Sequence, residues 1–173
     1  MNLKTKQLTM CALFATLNAI LSQIAIPIGP VPINLVHLSI FVSASLLGAK
    51  YSTLSQCVYI LLGSMGAPVF SNFSGGLGIL FGPTGGFIVG YIGCAFITGL
   101  LMERLGSSLK LSLAMGMGLM VSYALGTSWF MFSTQVDLMT AITICIFPFL
   151  LGDSLKIIFS TILITRLKPH FPT

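Results

Sequence analysis

The chain reads YSTLSQCVYILLGSMGAPVFSNFSGGLGILFGPTGGFIVGYIGCAFITGLLM from Tyr51 to Met102, and these 52 residues contain no Lys, Arg, Asp or Glu. A soluble domain has about 25% charged residues, whereas the whole chain of 173 residues has 6% charged and 55% hydrophobic residues. A charged side chain that faces lipid is energetically costly. The composition therefore indicates a protein of the lipid bilayer.

Pro/Gly clusters and isolated charges divide the chain into six apolar segments. A membrane-spanning helix needs about 20 mostly apolar residues, so a chain of this length has room for about six. The sequence predicts an all-α integral membrane protein with six transmembrane helices in a single domain, residues 1–173. The predicted spans are residues 8–26, 34–49, 52–66, 84–102, 109–132 and 140–167. Pro148 and Gly152 predict bends in the last span.

The basic residues are distributed unequally over the connections between these spans. Seven of the eight fall on one side, namely Lys4, Lys6, Lys50, Arg104, Lys110, Arg166 and Lys168. The opposite connections hold no basic residue and only the acidic Asp137. Since cytoplasmic connections are enriched in Lys and Arg, both termini are predicted to be cytoplasmic. The basic residues form no patch interleaved with aromatic residues, so no nucleic-acid partner is predicted.

The last predicted span contains two charged residues, Asp153 and Lys156. They are three residues apart and therefore share one helical face. A charge inside a span normally faces the bundle interior or a wet cavity and marks a functional site. The alternative is a salt bridge that only packs the helix. Together the two side chains suit a small ligand with N–H groups and an anionic or carbonyl oxygen.

The connection from Pro68 to Gly82 is rich in Gly, Ser and Asn. Irregular backbone at membrane depth is tolerated where it is buried in protein or lines a cavity, and glycines let backbone approach a ligand closely. We interpret this connection as a ligand lid, and an ordinary outer loop is the alternative. The lid also carries three aromatic residues that could pack on an apolar ligand, Phe70, Phe73 and Phe81.

The lid leads into the start of a predicted helix at Pro83 and Thr84. Free N–H groups at a helix start attract anions such as a carboxylate. Thr84 and the following Gly85 are therefore candidate binding residues.

No pattern of catalysis, metal binding or nucleotide binding occurs in the sequence. It has no Walker A sequence, no HExxH, no GxSxG and no CxxC, so no metal, no cofactor and no enzymatic activity are predicted. His37 has no partner at ligand spacing and is expected to be a satisfied interior histidine. Tyr123 and Trp129 are interpreted as interfacial aromatics. An intramembrane enzyme that uses Asp153 as acid and base is a distant alternative, because a third, orienting group is absent.

Two small residues on the first predicted helix, Ala15 and Ala19, are four positions apart. This spacing allows close helix contact. The contact is either internal to the bundle or a docking site for another membrane protein.

The chain resembles, over nearly its whole length, the biotin-specific S component of energy-coupling-factor (ECF) transporters, the BioY family. The resemblance is carried by Leu62-Gly63-x-x-Gly66-x-Pro68-Val69-Phe70, by Gly82-Pro83-Thr84-Gly85-Gly86, and by the run Gly152-Asp153-x-x-Lys156. It implies six helices, a biotin site in the outer half of the bundle under covering loops, and no ATPase activity in this subunit.

The resemblance also implies site residues and partners. Biotin would contact Asp153, Lys156 and Asn72, while Ala15 and Ala19 match the pattern that contacts the scaffold. The implied partners are a transmembrane scaffold protein and two ABC-type ATPases in the plasma membrane of a prokaryote. The family often has Thr and Gln where this chain has Asn34 and Val36, so contacts from this loop are not carried over.

Three other functions stay open on the sequence. The chain could be a solitary biotin facilitator that needs no ATPase, an S component for another vitamin, or a purely structural membrane subunit. The last would leave the charged pair inside the sixth span without a purpose.

Overall fold

The structure, a computed structural model, describes residues 3–105 and 108–167 and is predominantly helical over these ranges. The helices are α1 (Leu3–Gln23), α2 (Val36–Ser64), α3 (Leu77–Phe81), α4 (Gly85–Leu105), α5 (Ser108–Thr134), α6 (Leu138–Cys145) and α7 (Phe147–Leu167). Two short strands, β1 (Ala25–Ile26) and β2 (Ile33–Asn34), and a 3-10 turn (Ser71–Phe73) complete the described elements. The predicted helical class is therefore confirmed, with a small hairpin added to it.

The hairpin occupies the predicted junction of the first two spans. Ala25 pairs with Asn34 and Ile26 with Ile33 in antiparallel register. The prediction that helix extends to Ile26 and restarts at Asn34 was wrong at these residues. The prolines in the connection between them exclude helix, and Gly29 turns the chain with a φ of 89°.

Helix α2 contains both the second and the third predicted segments, with a sharp break at Gly48. The φ of Gly48 is 72°, in the left-handed region that favours glycine. The second arm of α2 begins at Ala49, whose N–H donates to Glu103 Oε1 of α4 over 2.8 Å. A Cβ on Gly48 would overlap the Glu103 carboxylate. The Ser43 and Ser52 hydroxyls, nine residues apart in sequence, lie 2.8 Å from each other, so the chain folds back at Gly48, two residues before the charge at Lys50.

Helix α4 packs between α2 and α5 through glycine positions. A Cβ on Gly90 would lie 3.1 Å from Ser122 Cα of α5, and one on Gly99 would lie 2.5 Å from Ala49 Cα of α2. Small residues let helix backbones approach this closely. The close approach brings α2, α4 and α5 together around one buried interior.

The last predicted span is divided into α6 and α7. The break falls at Ile146, with φ −121° and ψ −53°. Pro148 lies in the first turn of α7, where its missing N–H costs no helical hydrogen bond. The predicted bend at Pro148 thus corresponds to a break two residues earlier, whereas α7 is continuous through Gly152 and a bend there stays a prediction.

The outer surface of the bundle is apolar. Three helical stretches of the described chain are long and apolar enough to cross a membrane, Gly85–Arg104, Lys110–Thr134 and Phe147–Leu167. Large side chains such as Leu13 and Leu151 are exposed by more than half. Such an extensive apolar surface is expected where lipid rather than water surrounds the protein.

Candidate ligand-binding site

A cavity of about 240 Å³ lies where the hairpin, the connection after α2 and the start of α4 meet. Small-molecule pockets usually measure roughly 300–1,000 Å³, so this cavity suits a small ligand. Its polar wall includes Asn34, Ser71, Asn72, Ser74, Thr84 and Tyr91. Its apolar wall includes Val31, Phe70, Ile79, Phe87 and Ile88. An apolar surface with a few polar groups is the usual composition of such a site.

The Phe70 ring of the apolar wall is held by neighbouring residues. It packs edge-on against Tyr59, with ring centroids 5.6 Å apart. A Cβ on Gly63 would overlap the Phe70 ring, so glycine is required at this position. Of the three predicted aromatic contacts, Phe70 is in the cavity, whereas Phe73 and Phe81 are more than 70% exposed and lie outside its wall.

Asn34 connects three elements at the polar wall. Its Nδ2 donates to Ser71 Oγ over 2.9 Å and to the Tyr91 hydroxyl of α4 over 3.1 Å. Its Oδ1 accepts the Val36 N–H over 3.2 Å. A buried side chain with this many partners fixes the relative position of the hairpin, the connection and α4.

Residues 70–74, which we call the binding loop, are tightly folded. The Phe70 N–H donates to the Ser74 carbonyl over 3.0 Å. Between them, Asn72 and Phe73 both have left-handed backbone, with φ of 60° and 54°. Non-glycine residues rarely adopt this conformation, which is found at functional sites when the surroundings enforce it. The predicted site residue Asn72 is part of the cavity wall.

Thr84 and Gly85 differ in their position relative to the cavity. Thr84 is part of the wall, and its carbonyl accepts the N–H groups of Phe87 and Ile88 at the start of α4. Gly85 lies outside the described wall, and its N–H donates to the Gly82 carbonyl over 3.0 Å. The Gly85 N–H is therefore already occupied, and ligand contact by Gly85 stays a prediction. Glycine is needed there because a Cβ would overlap the backbone of Leu80.

Asp153 and Lys156 form an ion pair inside the bundle. Lys156 Nζ donates to Asp153 Oδ1 over 2.6 Å, and the Tyr123 hydroxyl of α5 donates to Asp153 Oδ2. The side chains of Asp153 and Lys156 are 1% and 6% exposed. A buried carboxylate is tolerated when both of its oxygens have partners. Neither residue of the pair belongs to the described cavity wall.

His37 packs behind one residue of the cavity wall. Its ring lies edge-on against the ring of Tyr91, with centroids 5.2 Å apart. Tyr91 belongs to the described cavity wall, whereas His37, Asp153 and Lys156 do not.

Four residues near the cavity and the ion pair can be compared with their sequence-based predictions. Tyr123 is buried and bonds to Asp153, so its interpretation as an interfacial aromatic was wrong. His37 is buried and hydrogen-bonded to Ser122 over 3.3 Å, which confirms the expected satisfied histidine. Asn34 and Tyr91 were not predicted as site residues. Only the departure from the family pattern at Asn34 pointed to that position.

Ala15 and Ala19 face the bundle rather than its surroundings. Ala15 is 2% exposed, and Ala19 packs partly buried against the same core. The exposed positions of α1 are larger apolar residues such as Leu13 and Ile20. This arrangement favours internal packing, and docking through the two alanines stays a prediction.

The fold and the cavity together define a helical membrane protein with a small-ligand site at one end of its bundle. A sequence model of the BioY family matches residues 1–173. A biotin transporter BioY of Thermotoga maritima is 42% identical over 164 residues, which cover 94% of this chain and 96% of the relative. A probable biotin transporter BioY of Pyrococcus horikoshii is 35% identical over 166 residues, covering 96% and 98%.

A solved structure is similar over almost the full length. It is the crystal structure of the S-component for biotin from an ECF-type ABC transporter, with a TM-score of 0.89 and 29% identity. The match covers 96% of this chain and 92% of the solved chain. The chain belongs to the BioY family, and is thereby a transport subunit rather than an enzyme.

Proposed function

We propose that this chain is the substrate-binding S subunit of a biotin uptake system, which captures biotin outside the cell and delivers it through an ATP-powered ECF complex. The observation that carries the proposal is the full-length match in fold to an S-component for biotin. The cavity of about 240 Å³ supports it, because its size and mixed lining suit one small vitamin.

The chemistry of biotin suits the groups around the cavity. Biotin has a ureido ring with N–H donors and a carbonyl, an apolar thiophane ring and a carboxylate. Asn72 and Thr84 offer polar groups at the cavity wall, and Phe70 offers an apolar face. Asp153 would accept a ureido N–H, while Lys156 would donate to the ureido carbonyl or pair with the carboxylate.

Contact with Asp153 and Lys156 would require a rearrangement, because neither residue belongs to the described cavity wall. The two charges now bond to each other. Biotin would have to supply replacement partners for the two charges, since an unpaired buried charge is costly. A ligand without both an N–H donor and an acceptor oxygen would leave one charge unpaired. The pair would thereby select ligands that carry a group such as the ureido ring or the carboxylate of biotin.

The proposed topology has six spans and cytoplasmic termini. The spans are α1, the two arms of α2, α4, α5, and α6 with α7. The distribution of basic residues supports this orientation, and Lys50 and Arg104 flank the Gly48–Glu103 contact at one end of the bundle. The cavity end would then face the outside of a prokaryotic plasma membrane.

The proposed partners are a transmembrane scaffold protein and two ABC-type ATPases, since the sequence contains no Walker A motif of its own. The scaffold would dock on α1, where Ala15 and Ala19 carry the predicted pattern. Docking at these residues requires α1 to move relative to the core, because Ala15 is buried in the present arrangement.

Uptake by reconstituted liposomes tests the proposal. We expect the chain to accumulate radiolabelled biotin only when the scaffold, both ATPases and internal ATP are present. Equal uptake by the chain alone would instead establish a solitary facilitator. Absence of biotin uptake from complete complexes, with uptake of another vitamin, would contradict the proposed substrate.

A further inference from the structure

The binding loop is held from one side by the last residue of α1. The Phe73 N–H donates to Gln23 Oε1 over 2.8 Å. The other end of the same amide, Nε2, donates to the Phe70 carbonyl over 3.1 Å and to the Ala19 carbonyl of α1 over 3.1 Å. One side chain therefore bridges two points of the loop backbone and ties both to the helix.

Asn34 holds the binding loop from the other side. Its Nδ2 donates to Ser71 Oγ over 2.9 Å, while the Tyr91 hydroxyl and the Val36 N–H fix the Asn34 amide itself. Asn72 lies directly after Ser71, between the two points of attachment. The loop residue predicted to contact the ligand is thus flanked by two external clamps.

The conformation between the clamps is one that the loop would not hold by itself. Asn72 and Phe73 have consecutive left-handed backbone, which persists only when the surroundings enforce it. The Phe73 side chain is 73% exposed, so burial of its ring contributes little to holding the loop. The hydrogen bonds from Gln23 and Asn34 hold this conformation from outside the loop, in addition to the Phe70–Ser74 bond within it.

We propose that Gln23 and Asn34 are positioning residues that keep Asn72 directed at the bound ligand and thereby slow its release. The inference rests on the proposed function, in which that ligand is biotin. Preorganised loops bind more tightly because less ordering entropy is lost on binding. Loss of a clamp should therefore raise the dissociation rate, with a smaller effect on association.

Two variants remove the clamps, and one provides a matched control. Gln23→Met and Asn34→Leu keep the approximate side-chain volume and remove the amide. Gln7→Met makes the same chemical change near the other end of α1, away from the binding loop. Gln23→Glu keeps the acceptor for the Phe73 N–H but turns a carboxylate oxygen toward the Phe70 and Ala19 carbonyls, so it should loosen the loop as Gln23→Met does.

The first measurement is dissociation of radiolabelled biotin from the purified protein in detergent. We expect about tenfold faster dissociation for Gln23→Met and Asn34→Leu, as the loss of one or two hydrogen bonds implies. Gln23→Glu should release biotin at least as fast as Gln23→Met, and Gln7→Met should match wild type. Unchanged dissociation in both clamp variants would overturn the proposal.

The second measurement is amide hydrogen exchange of residues 70–74 in the ligand-free protein. Faster exchange confined to this loop in Gln23→Met and Asn34→Leu supports the clamp. Unchanged exchange, or an equal increase throughout α4 and α5, would contradict a local positioning role. This measurement needs no ligand, so it tests the clamp even if wild type fails to bind biotin and the proposed function falls.

Discussion

Lys156 Nζ lies 2.6 Å from Asp153 Oδ1, and the two side chains share one face of α7 in the interior of the bundle. Tyr123 of the neighbouring α5 donates to the second oxygen of the carboxylate. This arrangement neutralises a charge that would otherwise be costly in an apolar interior. In the proposed function, the pair would exchange these internal contacts for those of biotin.

Removal of one member of the pair should destabilise the protein more than removal of both. Lys156→Met alone leaves a buried carboxylate without its cation, which we expect to cost about 3–5 kcal/mol. The double variant Asp153→Asn with Lys156→Met should recover much of that loss. Thermal unfolding in detergent measures the difference, and a double variant as unstable as the sum of the two singles would contradict it.

Loss of the Tyr123 hydroxyl should weaken biotin binding. Tyr123→Phe removes the donor to Asp153, a charged hydrogen bond of about 1.5–3 kcal/mol, and leaves the carboxylate less well oriented. We expect about tenfold weaker binding by calorimetry. Tyr51→Phe, far from the pair at the start of the second α2 arm, serves as the control and should bind as wild type does.

Substitution of Gly48 should destabilise the break in α2. Gly48→Ala places a Cβ against the Glu103 carboxylate in left-handed backbone, which costs about 1 kcal/mol or more. Gly116→Ala in α5 meets no neighbouring atom and should be neutral or stabilising by up to about 1 kcal/mol. Thermal unfolding of both variants tests the contrast. A Gly48→Ala protein as stable as wild type would show that α2 does not need glycine at its break.

The N-cap of α6 should give a pH-dependent contribution to stability. Hydrogen bonds from the Thr140 hydroxyl and backbone N–H lower the pKa of Asp137. Because the folded pKa lies below the unfolded one, the contribution is fully present above about pH 4 and disappears as the pH falls through the folded value.

Comparison with Asp137→Asn measures this contribution. The stability advantage of wild type over the variant should be constant near neutral pH and should shrink at acid pH, as followed by thermal unfolding. A difference between the two proteins that does not depend on pH would exclude a role for the Asp137 charge.

Some features of the site could be predicted from the local sequence alone. The three-residue spacing of Asp153 and Lys156 places them on one helical face wherever that helix packs. The Gly, Ser and Asn residues from Pro68 to Gly82 predicted irregular backbone for the same kind of local reason, although the short helix α3 (Leu77–Phe81) lies within this connection. Each of these features depends on backbone geometry within a few residues.

Features that depend on contacts between distant segments were not predictable in this way. Tyr123 and Asp153 are 30 residues apart, and Asn34 and Tyr91 are 57 apart. Nothing in the local pattern of either pair specifies its partner. The same reason applies to the break at Gly48. The second arm of α2 is capped there by the Glu103 side chain of α4, and Lys50 alone indicated only the approximate boundary.

Calorimetric titration of the purified wild-type chain with biotin tests the central claim most directly. We predict saturable binding of biotin by wild type, at least about tenfold weaker binding by Asp153→Asn, and unchanged binding by Asp137→Asn, which removes a similar charge outside the bundle. A folded wild type that shows no heat of binding with biotin, or an Asp153→Asn protein that binds as wild type does, would contradict the account.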